Sequence, residues 1–201
     1  MNVATDVAVC PSCDEVFPLS LVVGTQEISA EFDINDPPGG AWFQEDFQEW
    51  RIGASTRSPA AFFLVPFMCV WSGFSLGGIY GTQIAKGEFD LGMSLFGIPF
   101  ILGTLLFGGI AVMTVFGRVD VIVADTVGRV FTGVGPLGWT RRFDWSQVTW
   151  IEEDNPDYEY SGNSGRVISL VGKTRLKFAS MMSDARRYYL LQGLRELHKR
   201  T

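Results

Sequence analysis

Two long uncharged runs in the middle of the chain constrain its fold more than any other feature. Residues 58–85 and residues 91–117 contain no charged side chain, and the second run includes the stretch SLFGIPFILGTLLFGGIAVMTVF. A bilayer core about 30 Å thick needs roughly 20 apolar residues at about 1.5 Å of helix rise each. Helices buried in a soluble protein are usually shorter and carry a polar stripe, which neither run has. The runs therefore predict two membrane-spanning helices, at about residues 60–84 and 91–116.

The connection between the two runs, GTQIAKGEFD, is short, so the two spans are predicted to form an antiparallel hairpin. Orientation follows from the excess of Lys and Arg that cytoplasmic segments carry. The connection holds only Lys86, whereas Arg51 and Arg57 precede the first span. Four more arginines follow the second span: Arg118, Arg129, Arg141 and Arg142. We therefore expect a multi-pass protein of the cell (inner) membrane with both termini in the cytoplasm.

The charges divide the chain into three parts with different compositions. Residues 1–58 carry ten acidic and two basic side chains, and residues 118–201 carry thirteen basic and ten acidic ones. The overall net charge of −6 conceals this asymmetry, which is typical of a chain whose parts meet different surroundings. The predicted organisation is an acidic cytoplasmic segment with short strands at 1–58, the transmembrane hairpin at 59–117 and a cytoplasmic domain at 118–201.

The C-terminal part has the pattern of short strands followed by one amphipathic helix. Stretches rich in Val, Ile, Phe and Trp, separated by Gly-centred turns, predict seven strands, at 118–125, 128–135, 139–145, 147–154, 158–161, 166–173 and 174–180. Ser183 is a candidate N-cap of the helix. Four leucines share one helical face: Leu190, Leu191, Leu194 and Leu197. The charged residues Arg186, Arg187, Glu196 and Lys199 are expected away from that face.

This order of elements, with the run FDWSQVTWIEED leading to the last helix, resembles the pleckstrin-homology (PH) superfold. In that superfold a C-terminal helix closes one end of a bent, barrel-like sheet. The whole chain is also similar to an uncharacterised group of bacterial two-span membrane proteins with a C-terminal PH-like domain. The segments that carry this similarity are WRIGASTRSPAAFFLVPFMCVWSG, SLFGIPFILGTLLF and VFTGVGPLGWTRRFDW. The resemblance implies a membrane α-helical hairpin plus a mainly-β PH-like domain, and it implies no activity.

Lipid-binding PH domains commonly hold a basic cluster in the loop that joins their first two strands. The corresponding loop here is ADTVGR, in which Asp125 balances Arg129. Other cations are candidates for contacts with anionic headgroups, each worth about 1 kcal/mol when well placed. They are Arg141, Arg142, Lys173, Arg175 and Lys177. The alternative is that they are ordinary solvated strand positions, and nucleic acid is not an expected partner because no basic stripe with interleaved aromatics is present.

Three glycines in the first span, Gly73, Gly77 and Gly81, recur at every fourth position. Small residues at this spacing line one helix face and let another backbone approach closely. The second span offers Gly103, Thr104, Gly108 and Gly109 as counterparts. Two interpretations follow: the stripe packs inside the hairpin, or it contacts a second copy of the chain or another membrane protein.

The pair Cys10 and Cys13 has the C-x-x-C spacing of one zinc knuckle. A structural zinc site needs four ligands, but the only other cysteine is Cys69 in the first span and the only histidine is His198. A complete zinc site would therefore have to be completed by carboxylates of the same chain or shared between two chains. The alternatives are a remnant of a zinc ribbon without metal and a thiol–disulfide exchange pair. Apart from that shared zinc, no cofactor is expected, and three cysteines favour a reducing compartment.

Aromatic side chains cluster ahead of the first span, at Trp42, Phe43, Phe47 and Trp50. They are expected either to pack on the PH-like domain or to lie at the membrane surface. The acidic run EDFQEWR among them is expected to form a solvated hairpin tip rather than an acid–base site.

The sequence contains no GxSxG, P-loop or HExxH motif and has one histidine, so an enzyme is not expected. The favoured function is a membrane scaffold or adaptor, whose PH-like interaction domain binds a protein partner or lipid headgroups at the cytoplasmic face. The alternative is an accessory subunit of an oligomeric membrane channel or transporter. Because neither span contains an ionisable side chain, two spans alone cannot form an ion path and that alternative requires a homo-oligomer or another subunit.

Overall fold

The computed structural model describes residues 7–9, 16–18, 32–154 and 166–200. At its N-terminal end, strands β1 (Val7–Val9) and β2 (Val16–Pro18) pair antiparallel. Cys10, Cys13 and the strand predicted at 158–161 lie outside the described residues.

Two long apolar helices form the hairpin that the uncharged runs predict. The first consists of α1 (Ala61–Leu76), a π-helical turn (Gly77–Gly81) and α2 (Thr82–Lys86), and the second is α3 (Leu91–Phe116). Each of the two has 26 residues, which corresponds to about 39 Å and is long enough to cross a bilayer core. At the start of α3 the Asp90 carboxylate accepts a hydrogen bond from the Met93 amide at 3.0 Å, an N-cap that begins the helix.

Five strands form one antiparallel sheet in sequential order. They are β3 (Ala41–Glu45), β4 (Glu49–Ser55), β5 (Gly117–Ala124), β6 (Val127–Val134) and β7 (Leu137–Asp144). The turns after β5 and β6 are tight, and Asp125 and Gly135 adopt positive φ angles of 53° and 55° in them.

Three further strands form a second antiparallel sheet, with β9 between the other two. They are β8 (Trp150–Asp154), β9 (Val167–Val171) and β10 (Leu176–Phe178). The chain then forms α4 (Asp184–Arg200), so the prediction of a mainly-β region followed by a C-terminal helix is confirmed. Six of the seven predicted strands correspond to β5–β10, although several boundaries differ by a few residues.

The hydrophobic core lies between the two sheets and α4. Alternate residues of β5, Val119, Val121 and Val123, point inward, as period-2 strands require. The four leucines of the predicted apolar face are all buried, Leu190 and Leu194 completely. Full burial of one such leucine contributes about 1.5–3 kcal/mol, so α4 is a major part of the core rather than an appendage.

The five-stranded sheet extends beyond the domain predicted at 118–201, since it includes β4, which lies before the hairpin. This strand pairs with β5 over its whole length, from Glu49 opposite Ala124 to Ser55 opposite Arg118. Its Ile52 is fully buried, and a side chain at Gly193 of α4 would overlap the Ile52 side chain. The segment before the hairpin therefore supplies two strands of the sheet and part of the core.

The aromatic residues of this segment take three different environments. Phe43 and Trp50 pack against the core, and the Trp50 ring meets the Trp145 ring edge-on at 5.0 Å between centroids. The Trp42 indole donates a hydrogen bond to the Asp120 carboxylate at 2.9 Å. Phe47 is fully exposed in the turn between β3 and β4, so the prediction of a solvated tip there is confirmed.

Candidate functional site at the junction of the hairpin and the sheet

The helical hairpin is inserted between two neighbouring strands of the five-stranded sheet. Ser55 at the end of β4 and Arg118 near the start of β5 are direct cross-strand partners. One residue further on, the Thr56 amide donates to the Gly117 carbonyl at 2.9 Å, and the Thr56 hydroxyl donates to the Met113 carbonyl at 2.6 Å. The first and last residues of the hairpin therefore lie side by side, and the sheet ladder continues directly into the helices.

Further hydrogen bonds join the two chain segments just beyond the sheet. The Ser58 amide donates to the Thr114 carbonyl at 3.1 Å, and the Arg57 guanidinium donates to the Val115 carbonyl at 3.1 Å. A Cβ at Gly117 would overlap the Thr56 hydroxyl and the Met113 carbonyl, so only glycine fits this position. We call the residues 55–59 and 113–118 the junction.

Helix α4 is tied to the junction by Arg186. Its guanidinium donates to three backbone carbonyls, those of Gly39 at 2.9 Å, Ser55 at 3.2 Å and Arg57 at 2.8 Å. One side chain thus joins the C-terminal helix, the loop before β3 and the start of the hairpin. The prediction that Arg186 lies away from the leucine face gave no indication of this role.

The neighbouring Arg187 is buried, which contradicts the prediction that it lies away from the packed face. Only 5% of the residue is exposed. Its guanidinium pairs with the Glu153 carboxylate at 2.8 Å and with Asp184, and it donates to the Met182 carbonyl at 3.2 Å. Burial of a guanidinium is tolerated here because charged and carbonyl acceptors surround it.

A polar cavity of about 900 Å³ lies beside the junction, between the hairpin and the start of α4. It is lined by Arg57, Ser58, Pro59, Thr114, Glu153, Arg166, Ser180, Met181, Met182, Ser183, Asp184, Arg187 and Tyr188. Most of its charges pair with one another, since Arg166 meets Glu153 at 3.2 Å and Arg187 meets both carboxylates. The charges that line the cavity therefore nearly cancel, as expected where two parts of a fold pack together.

The histidine and the cysteine of the described chain lie in different parts of the protein, on α4 and on α1. A His198 ring nitrogen lies 2.8 Å from the Val148 carbonyl, and the ring packs edge-on against Trp145. Cys69 is exposed on the surface of the hairpin. Within residues 32–154 and 166–200, no three His, Cys, Asp or Glu side chains come together in a geometry suited to a metal ion. The zinc hypothesis for Cys10 and Cys13 stays a prediction.

The cations proposed from sequence as headgroup contacts do not form one surface. Arg141 and Arg142 are neighbours on β7 and therefore point to opposite faces of the sheet. Lys173 lies in the turn between β9 and β10 and lines a small cavity with Asp144, at the end of the sheets away from the junction.

The remaining two cations of that set lie on β10 or beside it and pair with acids of β8. Arg175 pairs with Glu152, and Lys177 lies 3.1 Å from the Asp154 carboxylate. Lys177 and Arg141 also line a cavity of about 300 Å³ next to Thr56 of the junction. Of the five, Arg141 and Lys177 are the pair nearest to the hairpin.

The glycine stripe of the first helix does not pack inside the hairpin. Within the described chain, no atom outside its own helix backbone lies within 4 Å of the position that a Cβ would take at Gly73, Gly77 or Gly81. The counterparts Gly103 and Gly109 are equally open. The intramolecular interpretation is therefore contradicted, and contact with another chain stays a prediction.

Close packing inside the hairpin is instead made by Tyr80 and Gly97, which no sequence pattern indicates. A Cβ at Gly97 would overlap the Tyr80 ring, whose hydroxyl donates to the Ser94 carbonyl at 2.8 Å. Tyr80 belongs to the π-helical turn, and such turns re-aim the side chains they carry. Gln83 completes the contact by accepting from the Asp90 amide at 2.9 Å and the Ser94 hydroxyl at 3.1 Å.

A buried carboxylate lies on the face of the five-stranded sheet that points away from α4. Asp120 is 1% exposed, and it accepts from the Trp42 indole at 2.9 Å and from Arg51 at 2.8 and 3.1 Å. The Arg118 guanidinium lies 3.2 Å from the same carboxylate. The hydrogen bond to Asp120 raises the pKa of Arg51 above its ordinary value. Gly53 leaves the space that this cluster fills, since a Cβ there would lie 2.5 Å from the Asp120 carboxylate.

A scan against protein-family models found no match to this chain, and a search of curated proteins found none either. Function is therefore inferred from the junction, the hairpin and the sheet.

Proposed function

We propose that the protein is an integral membrane protein whose hairpin holds the β-sheet domain at the cytoplasmic face as an interaction module. The observation that carries the proposal is the insertion of the hairpin between β4 and β5. A tether joined to one end of a domain allows it to rotate freely. A hairpin whose two ends continue a sheet ladder, with Thr56, Ser58 and Arg57 bonded across the junction, holds the domain in one orientation.

The exposed surface of the hairpin supports the membrane location. In each of the two long helices only 11% of the most apolar 18-residue window is buried. Side chains such as Phe62, Phe74 and Leu105 are largely exposed, and a contiguous surface of this kind is a poor match to water. A bilayer supplies the apolar surroundings that these side chains need.

The end of the sheet beside the junction carries side chains suited to a membrane interface. Val134 pairs with both Gly117 and Leu137, so the turn between β6 and β7 lies at the level of the hairpin's last residue. Leu137 is 79% exposed and Trp139 is 81% exposed. Tryptophan is enriched at membrane–water interfaces because its ring is apolar and its N–H is polar. Arg141 and Lys177, also near the junction, are the candidates for contact with anionic headgroups.

We further propose that the β-domain is PH-like. Counted from β4, the chain has seven antiparallel strands followed by α4, which is the order expected of that superfold. On this count the hairpin occupies the loop between the first and second strands. In lipid-binding PH domains that loop carries the basic cluster, so here the membrane contact would be made by the hairpin itself.

Cysteine accessibility in intact cells tests the location and the orientation together. In a chain whose three native cysteines are changed to serine, Lys86→Cys should react with a membrane-impermeant maleimide from outside. Lys199→Cys should react only after permeabilisation, and both variants should stay in the membrane fraction after alkaline extraction. Release of the protein by alkaline extraction would refute the proposed location, and labelling of Lys199→Cys in intact cells would reverse the orientation.

The open glycine stripe favours a second candidate function, a subunit of an oligomeric membrane assembly. Gly73, Gly77 and Gly81 form an exposed small-residue face that the hairpin leaves unused. If this face contacts another chain, Gly77→Leu should abolish cross-linked oligomers in native membranes, while Gly103→Leu on the other helix should not. If Gly77→Leu forms as many cross-linked oligomers as Gly103→Leu and the native chain, the stripe faces lipid.

A further inference from the structure

The outer face of the five-stranded sheet carries four arginines along one wide groove. Arg51, Arg118, Arg129 and Arg142 lie on β4, β5, β6 and β7 respectively, at positions that alternate with the inward-facing core residues. The groove has a volume of about 990 Å³, comparable with the roughly 300–1,000 Å³ of pockets for small ligands. It shares no lining residue with the cavity of about 900 Å³ beside the junction.

Two of these arginines face each other at a cost to the sheet. Arg129 and Arg142 are direct cross-strand partners, and like charges in such positions destabilise an antiparallel pair. Glu49 lies 3.5 Å from Arg129, but among the described residues no ion pair joins Arg142 to a carboxylate. The nearby Asp144 is engaged elsewhere, accepting from the Ser146 amide at 3.0 Å and the Gln147 side chain at 2.7 Å. The opposed pair is therefore poorly compensated within the described chain.

The other two arginines are held in place from beneath. The buried Asp120 contacts Arg51 at 2.8 Å and Arg118 at 3.2 Å. Arg118 also lies 5.5 Å from the centre of the Phe131 ring and donates to the Gly135 carbonyl at 3.3 Å. Fixed guanidinium groups lose little conformational freedom when they bind a ligand.

The charges that line the groove are unbalanced. The four guanidinium groups are opposed by the two carboxylates of Glu49 and Asp120, which leaves an excess of two positive charges. Apolar side chains lie between the arginines, chiefly Ile122, Val127 and Phe131. The combination offers charge-assisted donors for an anion and an apolar floor for the rest of a ligand.

We propose that this groove binds a phosphate-bearing ligand, with Arg129 and Arg142 as the principal phosphate contacts. The planar guanidinium group donates two parallel hydrogen bonds to phosphate oxygens. A dianion bound between Arg129 and Arg142 attracts both guanidinium groups and so offsets the repulsion between them. The phosphate belongs either to a soluble phosphate ester or to a lipid headgroup. The groove is built by the sheet alone, so binding there does not depend on where the hairpin lies.

Inorganic pyrophosphate is the probe for the first experiment, titrated into the full chain in nonionic detergent by calorimetry. We expect saturable binding, weakened about tenfold or more by Arg142→Gln and by Arg129→Gln, since each removes a charge-assisted contact. Lys199→Gln is the matched control, because it removes one positive charge from an exposed position on α4, outside the groove. Without ligand, Arg142→Gln should also melt at a higher temperature than the native chain, because the repulsion is relieved.

A second experiment separates the two sources of phosphate. Short-chain phosphatidylglycerol is added to the micelles, and its competition with pyrophosphate is measured for the native chain. Competition in the native chain identifies a headgroup, whereas pyrophosphate binding without competition identifies a soluble ester. The proposal is overturned if pyrophosphate does not saturate, or if Lys199→Gln weakens its binding as much as Arg142→Gln does.

Discussion

Ser55 and Arg118 are direct cross-strand partners, although the whole helical hairpin separates them along the chain. Because β4 and β5 pair on either side of it, the hairpin is an insertion within one sheet rather than a link between two domains. The hydrogen bonds of Thr56 to Gly117 and Met113 extend this contact to the last turn of α3. The attachment of the sheet to both ends of the hairpin follows from this one relationship.

The insertion predicts that the hairpin can be removed without unfolding the sheet. Thr56 and Gly117 lie across from each other, so replacing residues 57–116 by Asn-Gly should close a two-residue β-turn between them. We expect a soluble protein with a cooperative thermal transition, measured by circular dichroism. Leu194→Asp in the shortened chain should abolish that transition, because it places a charge in the core. An insoluble product, or one without a cooperative transition, would show that the hairpin is needed for folding.

Gly53→Val should destabilise the protein by about 1–3 kcal/mol, because a side chain there overfills a packed site. A Cβ at this position would lie 2.5 Å from the Asp120 carboxylate and 2.6 Å from the Trp42 indole nitrogen. Gly39→Ala is the control, since its added methyl group would meet no atom within 4 Å among the described residues. Chemical denaturation of the hairpin-free chain measures both, and equal midpoints for the two variants would contradict the close packing around Asp120.

Arg187→Met should cost about 1.5–3 kcal/mol of unfolding free energy, the usual range for a lost hydrogen bond to a charged group. The substitution leaves the partly buried Glu153 carboxylate without its closest partner. Lys199→Met, at an exposed position of the same helix, should change the denaturation midpoint little. A silent Arg187→Met would restore the sequence-based expectation that this side chain is solvated.

Gly97→Ala should loosen the hairpin, because the added methyl group displaces the Tyr80 ring and breaks its hydrogen bond to Ser94. Faster hydrogen–deuterium exchange in the segment 77–97 would report the change. Gly103→Ala, whose added methyl group meets no atom within 4 Å, should exchange like the native chain. Identical exchange in both variants would argue against the contact between Tyr80 and Gly97.

We expect Tyr189 to make the folded protein less stable at high pH. Burial raises the pKa of its phenol to about 12, with smaller contributions from Asp33, Asp36 and Glu196, and its hydroxyl donates to the Ile34 carbonyl at 2.5 Å. Between about pH 10 and pH 12 the phenol stays protonated in the folded state, whereas the unfolded chain, in which its pKa is about 10, has lost the proton. Stability is therefore fully present below about pH 10 and falls as the pH rises towards 12.

The denaturation midpoint of the hairpin-free chain, followed from about pH 9 to about pH 11.5, measures this effect. Tyr189→Phe should flatten the decline, while also lowering stability at neutral pH because the Ile34 carbonyl loses its donor. Tyr188→Phe, at an exposed neighbouring position, should leave the decline unchanged. If the denaturation midpoint of Tyr189→Phe falls with pH as steeply as that of the parent chain, the decline is caused by other titrating groups.

Part of the core is set by local pattern. The spacing of Leu190, Leu191, Leu194 and Leu197 predicts one buried helix face, and all four are buried. Arg187 lies three, four and seven positions before Leu190, Leu191 and Leu194, so the helical period places it on the same face, and the prediction that it lies elsewhere was wrong. Periodicity indicates which side of a helix is packed, but it does not show which acceptors a buried guanidinium meets. For Arg187 these acceptors include Glu153 and the Met182 carbonyl, which lie outside the helix.

By itself, the sequence determined the two long apolar helices, the strands that follow them and the apolar face of α4, because each depends on the order of residues within a short window. Only the tertiary structure decided that β4 pairs with β5 across the hairpin, that Arg186 joins three backbone carbonyls and that Arg129 faces Arg142. Those relationships depend on register and on contacts between residues far apart in the chain. No local repeat encodes them, since strand pairing is selected by the core that both strands cover.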